Sequence, residues 1–358
     1  MNEYPVGLVP GPVSVPRNIR ESWLTDFGSA DLEPEFLKLY ADNQKLLQKL
    51  LGTKESVVIT SGEAMSALWG GLKSALKPGD RLLAVASGLF GEGFADMAKS
   101  IGMKTETVAA EYNSLPDPRK VRESALRFRP KMITAVHCET PSGTLMPLKE
   151  LGDIARETGA LFLVDFVSSG GGAEVGVDAN GIDIGLLGSQ KALSMPSSLS
   201  MSTISERAWK VMENVGYCGY DSYLPWRDVP RVPAPYTHDW HGMSALNRSL
   251  SSIMKEGMEN VFARHCRAAS LCRKMAAETG IELFPLNEDM CSPTVSAFYV
   301  PKGWTWNEFD AALRSRGLVV GCNYGRLAGK VFRVGHMGSQ ADETLVTRGM
   351  EIVRAVLN

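Results

Sequence analysis

Short apolar runs separated by stretches of helical spacing dominate the first half of this chain. The runs are Val57–Thr60, Leu82–Ala86, Met132–His137, Leu161–Val167 and Ile182–Leu187. Among them, Ala64–Leu76, Glu92–Ile101, Asp117–Arg127 and Leu148–Thr158 repeat apolar residues at helical intervals, as helices packed on a sheet must. Runs that are apolar on both faces belong to strands covered from two sides. The pattern therefore predicts a largely parallel sheet flanked by helices, an α/β fold. Ahead of it, Phe36, Leu37, Tyr40, Leu46, Leu47, Leu50 and Leu51 predict a helix over 35–51, and Pro34 suits its start. The first fifteen residues hold Pro5, Pro10 and Pro12 with Gly7 and Gly11, and read as a stiff extended arm. Beyond the sheet, Tyr217–His241 is rich in Pro, Tyr and Trp and reads as a long ordered loop. A long helix is predicted over 242–279, then a smaller α+β pattern. The expected organisation is an arm (1–15), a large α/β domain (16–250) and a small C-terminal domain (251–358).

Composition narrows the function classes. The 358 residues are 44% hydrophobic and 22% charged, enough for a large core without disulfide or metal support. With 38 Lys+Arg against 40 Asp+Glu, the chain lacks the basic surface that bulk binding to nucleic acid needs. No apolar run reaches the roughly 18 residues of a membrane span. The opening MNEYPVGLVPGPVSVP lacks the basic-then-apolar order of a signal peptide. Six cysteines are scattered without metal-ligand spacing, so a reduced cytoplasmic protein is expected. His238 and His241 read as polar groups of an interface or pocket, not metal ligands.

Two segments carry chemistry: LFLVDFVSS (161–169) and DIGLLGSQKAL (183–193). Asp165 ends a strongly apolar strand, where ligand crevices open in parallel sheets. Lys191 follows a second such strand. Alone, the lysine could be a surface residue and the aspartate a cap. Together they match the needs of a cofactor with a pyridine nitrogen and an aldehyde: an acid for the nitrogen and an amine for the carbonyl.

These segments resemble the alanine–glyoxylate aminotransferase group of class V pyridoxal-phosphate enzymes, and the resemblance runs along nearly the whole chain. LVPGPVSVP (8–16), TSGEAMSAL (60–68), ASGLFGEG (86–93), HCETPSGTLMPL (137–148), YTHDWHGMSALNRSL (236–250) and GKVFRVGHMG (329–338) follow in the family's order. The resemblance implies a fold type I enzyme with a seven-stranded, mostly parallel sheet. It also implies bound pyridoxal 5'-phosphate and a homodimer with shared active sites. Lys191 would hold the aldehyde as a Schiff base and move the proton. Asp165 would keep the ring nitrogen protonated. Phe90 would stack on the ring, with Thr140 and Val167 beside it. Gly62, Glu63, Ala64, Ser189 and Gln190 would surround the phosphate, and Thr237 would be lent by the second subunit. Arg333 would grip the substrate carboxylate as a planar two-pronged donor, with Arg326 and Gly11 nearby. The implied reaction is ping-pong transamination from a small amino acid, of the alanine or serine type, to a 2-oxo acid such as glyoxylate or pyruvate.

Glu63 departs from the family pattern, which places small or hydroxyl residues at this turn. At an effective dielectric near 20, like unit charges about 4 Å apart repel by roughly 4 kcal/mol. Glu63 must therefore turn away from a phosphate, pair with a cation such as Arg326, or face a ring that has none. Pyridoxamine–pyruvate aminotransferase, a relative that uses free pyridoxamine as donor, carries a similar Gly-Glu, and this is the alternative reading. FGSADLEPEF (27–36) also departs, offering Ser29, Ala30 and Asp31 where relatives place a polar motif near the substrate. A desulfurase would need a mobile thiolate such as Cys322. Phe90 and Gln190 stand where that class has histidines, so Cys322 reads as a small apolar filler. A non-catalytic relative that binds partners through the 217–240 loop would leave Asp165, Lys191 and Arg333 together without a reason.

Overall fold

The computed structural model describes residues 4–358. Seven strands form the central sheet: β1 (Ser56–Ser61), β2 (Arg81–Ala86), β3 (Lys104–Ala109), β4 (Met132–Val136), β5 (Leu161–Asp165), β6 (Ile184–Gly188) and β7 (Leu199–Ile204). Their order is β1-β7-β6-β5-β4-β2-β3. Only β7 runs antiparallel to its neighbours; β6-β5-β4-β2-β3 pair in parallel. Strands β4, β5 and β6 are buried along their whole length, which is what their unbroken apolar runs require once helices cover both faces.

Two strands do not follow the apolar-run signal. The β3 segment KTETVA lies at the sheet edge with its residues half-buried or exposed, so one face stays polar. The β7 segment LSMSTI is fully buried yet rich in hydroxyls. Two of those hydroxyls find partners: Ser200 bonds Thr60 and Ser66, and Ser202 bonds Tyr223; the Thr203 hydroxyl is buried without one.

The helix at Pro34–Leu51 begins with the expected proline at its first turn and ends at Gly52 in a left-handed conformation. The long helix predicted over 242–279 is two helices, Trp240–Glu256 and Met258–Glu278. Gly257 separates them with φ 89° and ψ 128°, a conformation glycine adopts without steric cost. The aromatic stretch before it is ordered: Trp226 is buried, stacked on Tyr40 and edge-on to His238.

The hydrophobic core has a larger cluster around the sheet and a smaller one built from Phe298, Phe309, Phe332 and the helix Glu343–Leu357. Val6 and Leu8 of the N-terminal arm belong to the smaller cluster, because Val6–Leu8 pairs in parallel with Leu318–Val320. Val331–Gly335 pairs with Val295–Tyr299 and carries Arg333. The arm thus crosses from the C-terminal lobe to the ends of β5 and β6. No helix among the described residues is long and apolar enough to cross a membrane.

Candidate active site

The carboxyl ends of β1, β2, β4, β5 and β6 open onto one cavity of about 140 Å³. This is where a parallel sheet presents loop residues and helix starts to a ligand. Asp165 is the last residue of β5 and is 6% exposed. One of its oxygens accepts from the Val167 amide at 2.8 Å; the other is free of protein hydrogen bonds and faces the cavity. Burial raises the carboxyl to about 6, against the lowering effects of the Val167 amide and Lys191.

Lys191 enters the same cavity from the turn after β6. Its Nζ donates to the Pro10 carbonyl at 2.6 Å. Burial, reinforced by the nearby Arg333 charge, lowers the ammonium to about 8, with Cys138 and Asp165 opposing. The arm comes close at this point: a Cβ on Gly11 would lie 2.7 Å from the lysine Cε, and φ there is +98°. Glycine is required on both counts.

Of the residues expected around a ring, Glu63, Ala64, Phe90, Thr140, Asp165, Val167, Gln190 and Lys191 line this cavity. Thr140 pairs its hydroxyl with Ser168. Ser189 does not line the cavity. Its side chain is fully buried behind it, donating to Pro196 O at 2.6 Å and accepting from the amides of Ser198 and Leu199. Gly62 also lies behind, its amide bound to Ser198 O at 2.8 Å.

Glu63 neither turns away nor finds a cation. Its Oε1 accepts from the Met65 amide at 3.0 Å, capping the helix Ala64–Ala75, and Gln190 Nε2 stands 3.4 Å from its Oε2. Arg326, the cation expected as its partner, pairs instead with Glu92 at 3.4 Å and lies over the Tyr112 ring at 5.2 Å. It lines neither this cavity nor the next. Thr237 is also outside the cavity, its hydroxyl bound to Asp31 at 2.9 Å.

Arg333 and Gly11 line a second cavity of about 270 Å³, on the other side of Pro10, with Trp306, Asp310 and Tyr324. Arg333 is 4% exposed; its guanidinium donates through Nε and Nη2 to Cys322 O and sits 5.0 Å from the Tyr324 ring. No carboxylate pairs with it among the described residues. A buried unpaired cation is costly, so an anion is the natural complement here. His238 and His241 do not converge: the first reaches Ile59 O at 3.0 Å and the second Thr25 O at 3.0 Å.

The cavity also takes Met65, Leu68, Cys138 and Ser168, which the sequence did not single out. Cys138 and Thr140 face it from alternate positions of HCETPSG, and Glu139 between them points the other way. The available signal for Glu139 was an acid inside the segment HCETPSG that follows a fully buried strand.

The class V aminotransferase profile matches residues 25–332. An aminotransferase of Methanocaldococcus jannaschii is 33% identical over 92% of this chain and 87% of its own length. A pyridoxamine–pyruvate transaminase of Mesorhizobium japonicum is 30% identical over 99% of this chain and 91% of its own. The crystal structure of an alanine–glyoxylate aminotransferase from Nostoc sp. superposes with a TM-score of 0.95 at 27% identity, covering 100% of this chain and 96% of that one.

Proposed function

This chain belongs to the class V aminotransferase family, and from that premise we propose that it moves an amino group from a primary amine to a small 2-oxo acid of the glyoxylate or pyruvate type, with a vitamin B6 ring held between Lys191 and Asp165. The convergence of those two side chains on one cavity from neighbouring strands carries this reading. A bound B6 ring supplies a carbonyl for the amine and an electron-withdrawing pyridinium for the electron pair released at the substrate carbon.

The residues divide the remaining work. The free oxygen of Asp165 is the group that would face the nitrogen of a bound ring and keep a proton on it. With its ammonium lowered to about 8, roughly a tenth of Lys191 is neutral at pH 7, against far less than a hundredth for an unperturbed lysine. That neutral Nζ is the amine that would hold the carbonyl of a bound B6 ring, and the same nitrogen is placed to accept and return a proton at the substrate carbon. Phe90 closes one face of the ring. Arg333 pairs with the carboxylate of the oxo acid.

The fit is good at the ring end and poor where a phosphate would lie. Ser189, Gln190 and the helix start after Gly62 were expected to receive a phosphate, but Ser189 is consumed by the 196–199 loop and Glu63 occupies the helix N-terminus with its own carboxylate. A phosphate prefers that N-terminus free. We therefore favour a B6 amine without a phosphate, such as pyridoxamine, as the donor and pyruvate as the acceptor. The second reading keeps pyridoxal 5'-phosphate resident, with an amino acid of the alanine or serine type as donor. The alanine–glyoxylate relative supports it, as does the Gln190 amide, whose Oε1 lacks a partner and can turn to donate. In both readings the working unit is a homodimer with Thr237 completing the partner's site. Six free cysteines suit a reducing compartment such as the cytoplasm.

The test is a paired assay on the purified chain: pyridoxamine with pyruvate, and alanine with glyoxylate plus added pyridoxal 5'-phosphate. Pyridoxal and alanine formed in the first mixture support the favoured donor. Turnover confined to the second mixture would replace it with the alanine-type reading, and turnover in neither would remove both donors.

A further inference from the structure

The helix Leu89–Ser100 places Phe90 against the ring cavity, yet the residue at its cap position brings no side chain to its first amides. That residue is Gly88, and its backbone is extended. Helix starts leave several N–H groups without partners. Here Glu139, from the segment after the neighbouring strand β4, takes two of them. Its side chain is fully buried; Oε1 accepts from the Phe90 amide at 3.0 Å and Oε2 from the Gly91 amide at 3.0 Å. The carboxylate is a helix cap delivered from another strand, at the end of the helix where negative charge is favoured.

Gly88 makes room for it. A Cβ there would meet Glu139 Cγ and lie 2.6 Å from its Cδ. No cation pairs with Glu139 among the described residues. Burial raises it to about 7, against the two amides, and the charges of Asp165 and Glu92 push the same way. A carboxylate kept in so unfavourable a place needs a use. Its neighbours Cys138 and Thr140 line the ring cavity, so one short segment touches the ligand space and also holds the helix that carries Phe90. The helix is tied a second time one turn on, where Glu92 accepts from Tyr112 at 2.7 Å and pairs with Arg326.

We propose that Glu139 is a positioning residue: by clamping the Phe90 and Gly91 amides in the first turn of their helix it fixes the aromatic wall of the ring cavity, and Gly88 is glycine to admit it. The inference rests on the B6 reading above. The clamp acts on the cavity before any ligand arrives, so it can be measured in the unliganded protein.

The experiment uses the full chain with pyridoxal as probe and compares wild type with Glu139→Gln and Gly88→Ala. The first variant replaces one acceptor with a donor facing an amide; the second crowds the carboxylate from the other side. Both are expected to raise the pyridoxal Kd about ten-fold, as loss of one buried charged hydrogen bond does. Both should also diminish the visible circular dichroism of the bound ring and speed deuterium uptake in residues 86–95 alone. The KM for the oxo acid, set at Arg333, is expected to hold. Wild-type Kd, dichroism and uptake in folded variants would overturn the proposal. So would uptake that quickens throughout the chain with a lowered Tm, since that describes a structural role only. If wild type itself gives no ring signal with any B6 compound, the functional reading fails, while uptake at 86–95 still decides whether the clamp exists.

Discussion

The two ends of the ring cavity are built to different rules. At the ring end, an acid and an amine are buried with few competing partners: Asp165 keeps one oxygen free, and Lys191 holds only the Pro10 carbonyl. At the far end the polar groups are spent on the protein itself. Glu63 caps its own helix, Ser189 fastens the 196–199 loop, and Gly62 ties to Ser198. Groups left unsatisfied at a physical cost mark where a ligand is awaited. Groups already satisfied mark where the chain has closed on itself. This contrast is what favours, in the proposed function, a ring without a phosphate.

The largest expected effect concerns pH at the ring end. Asp165 is raised to about 6 and Lys191 lowered to about 8. The carboxylate needed for a protonated ring appears as pH rises through 6, and the neutral amine as it rises through 8. The rate of pyridoxal capture, followed by stopped-flow absorbance, should climb about a hundred-fold per pH unit below 6 and about ten-fold per unit from 6 to 8, then level off. A rate flat between pH 6 and 8 would break the pairing of these two groups.

The next effect tests the cation beyond Pro10. Arg333→Lys should lower kcat/KM for the oxo acid about a hundred-fold, mostly through KM, because an ammonium cannot reproduce the two-pronged contact. Equal losses for a substrate without a carboxylate would show that Arg333 acts on folding and not on the anion. The smallest effect sharpens the contrast directly. Glu63→Ser should tighten pyridoxal 5'-phosphate about ten-fold and leave pyridoxal within a factor of about three, since only the former places charge at the helix start. Isothermal titration of both compounds reads this out, and parallel changes would merge the two ends into one.

Much of this was legible in the sequence, for identifiable reasons. β4, β5 and β6 announce themselves because strands buried on both faces must be apolar throughout, and Asp165 and Lys191 stand out as charges at the ends of such runs. β3 and β7 were hidden because an edge strand keeps a polar face and because β7 buries serines that bond Thr60, Ser66 and Tyr223 in place of apolar side chains. The break at Gly257 was invisible to periodicity, since a single glycine does not interrupt helical spacing. Ser189 and Arg326 show a different limit. Residue type says what a side chain can donate, but only the fold says which acceptor claims it: Pro196 O for the serine and Glu92 for the arginine. Glu139 went unread because its partners are backbone amides 48 and 49 residues away.

The central claim is covalent, and reductive trapping tests it most directly. The protein is mixed with pyridoxal, reduced with borohydride, digested and mapped by mass spectrometry. The account predicts a pyridoxyl group on the peptide containing Lys191, absent from Lys191→Ala treated identically. A label spread over surface lysines with position 191 unmodified would contradict it.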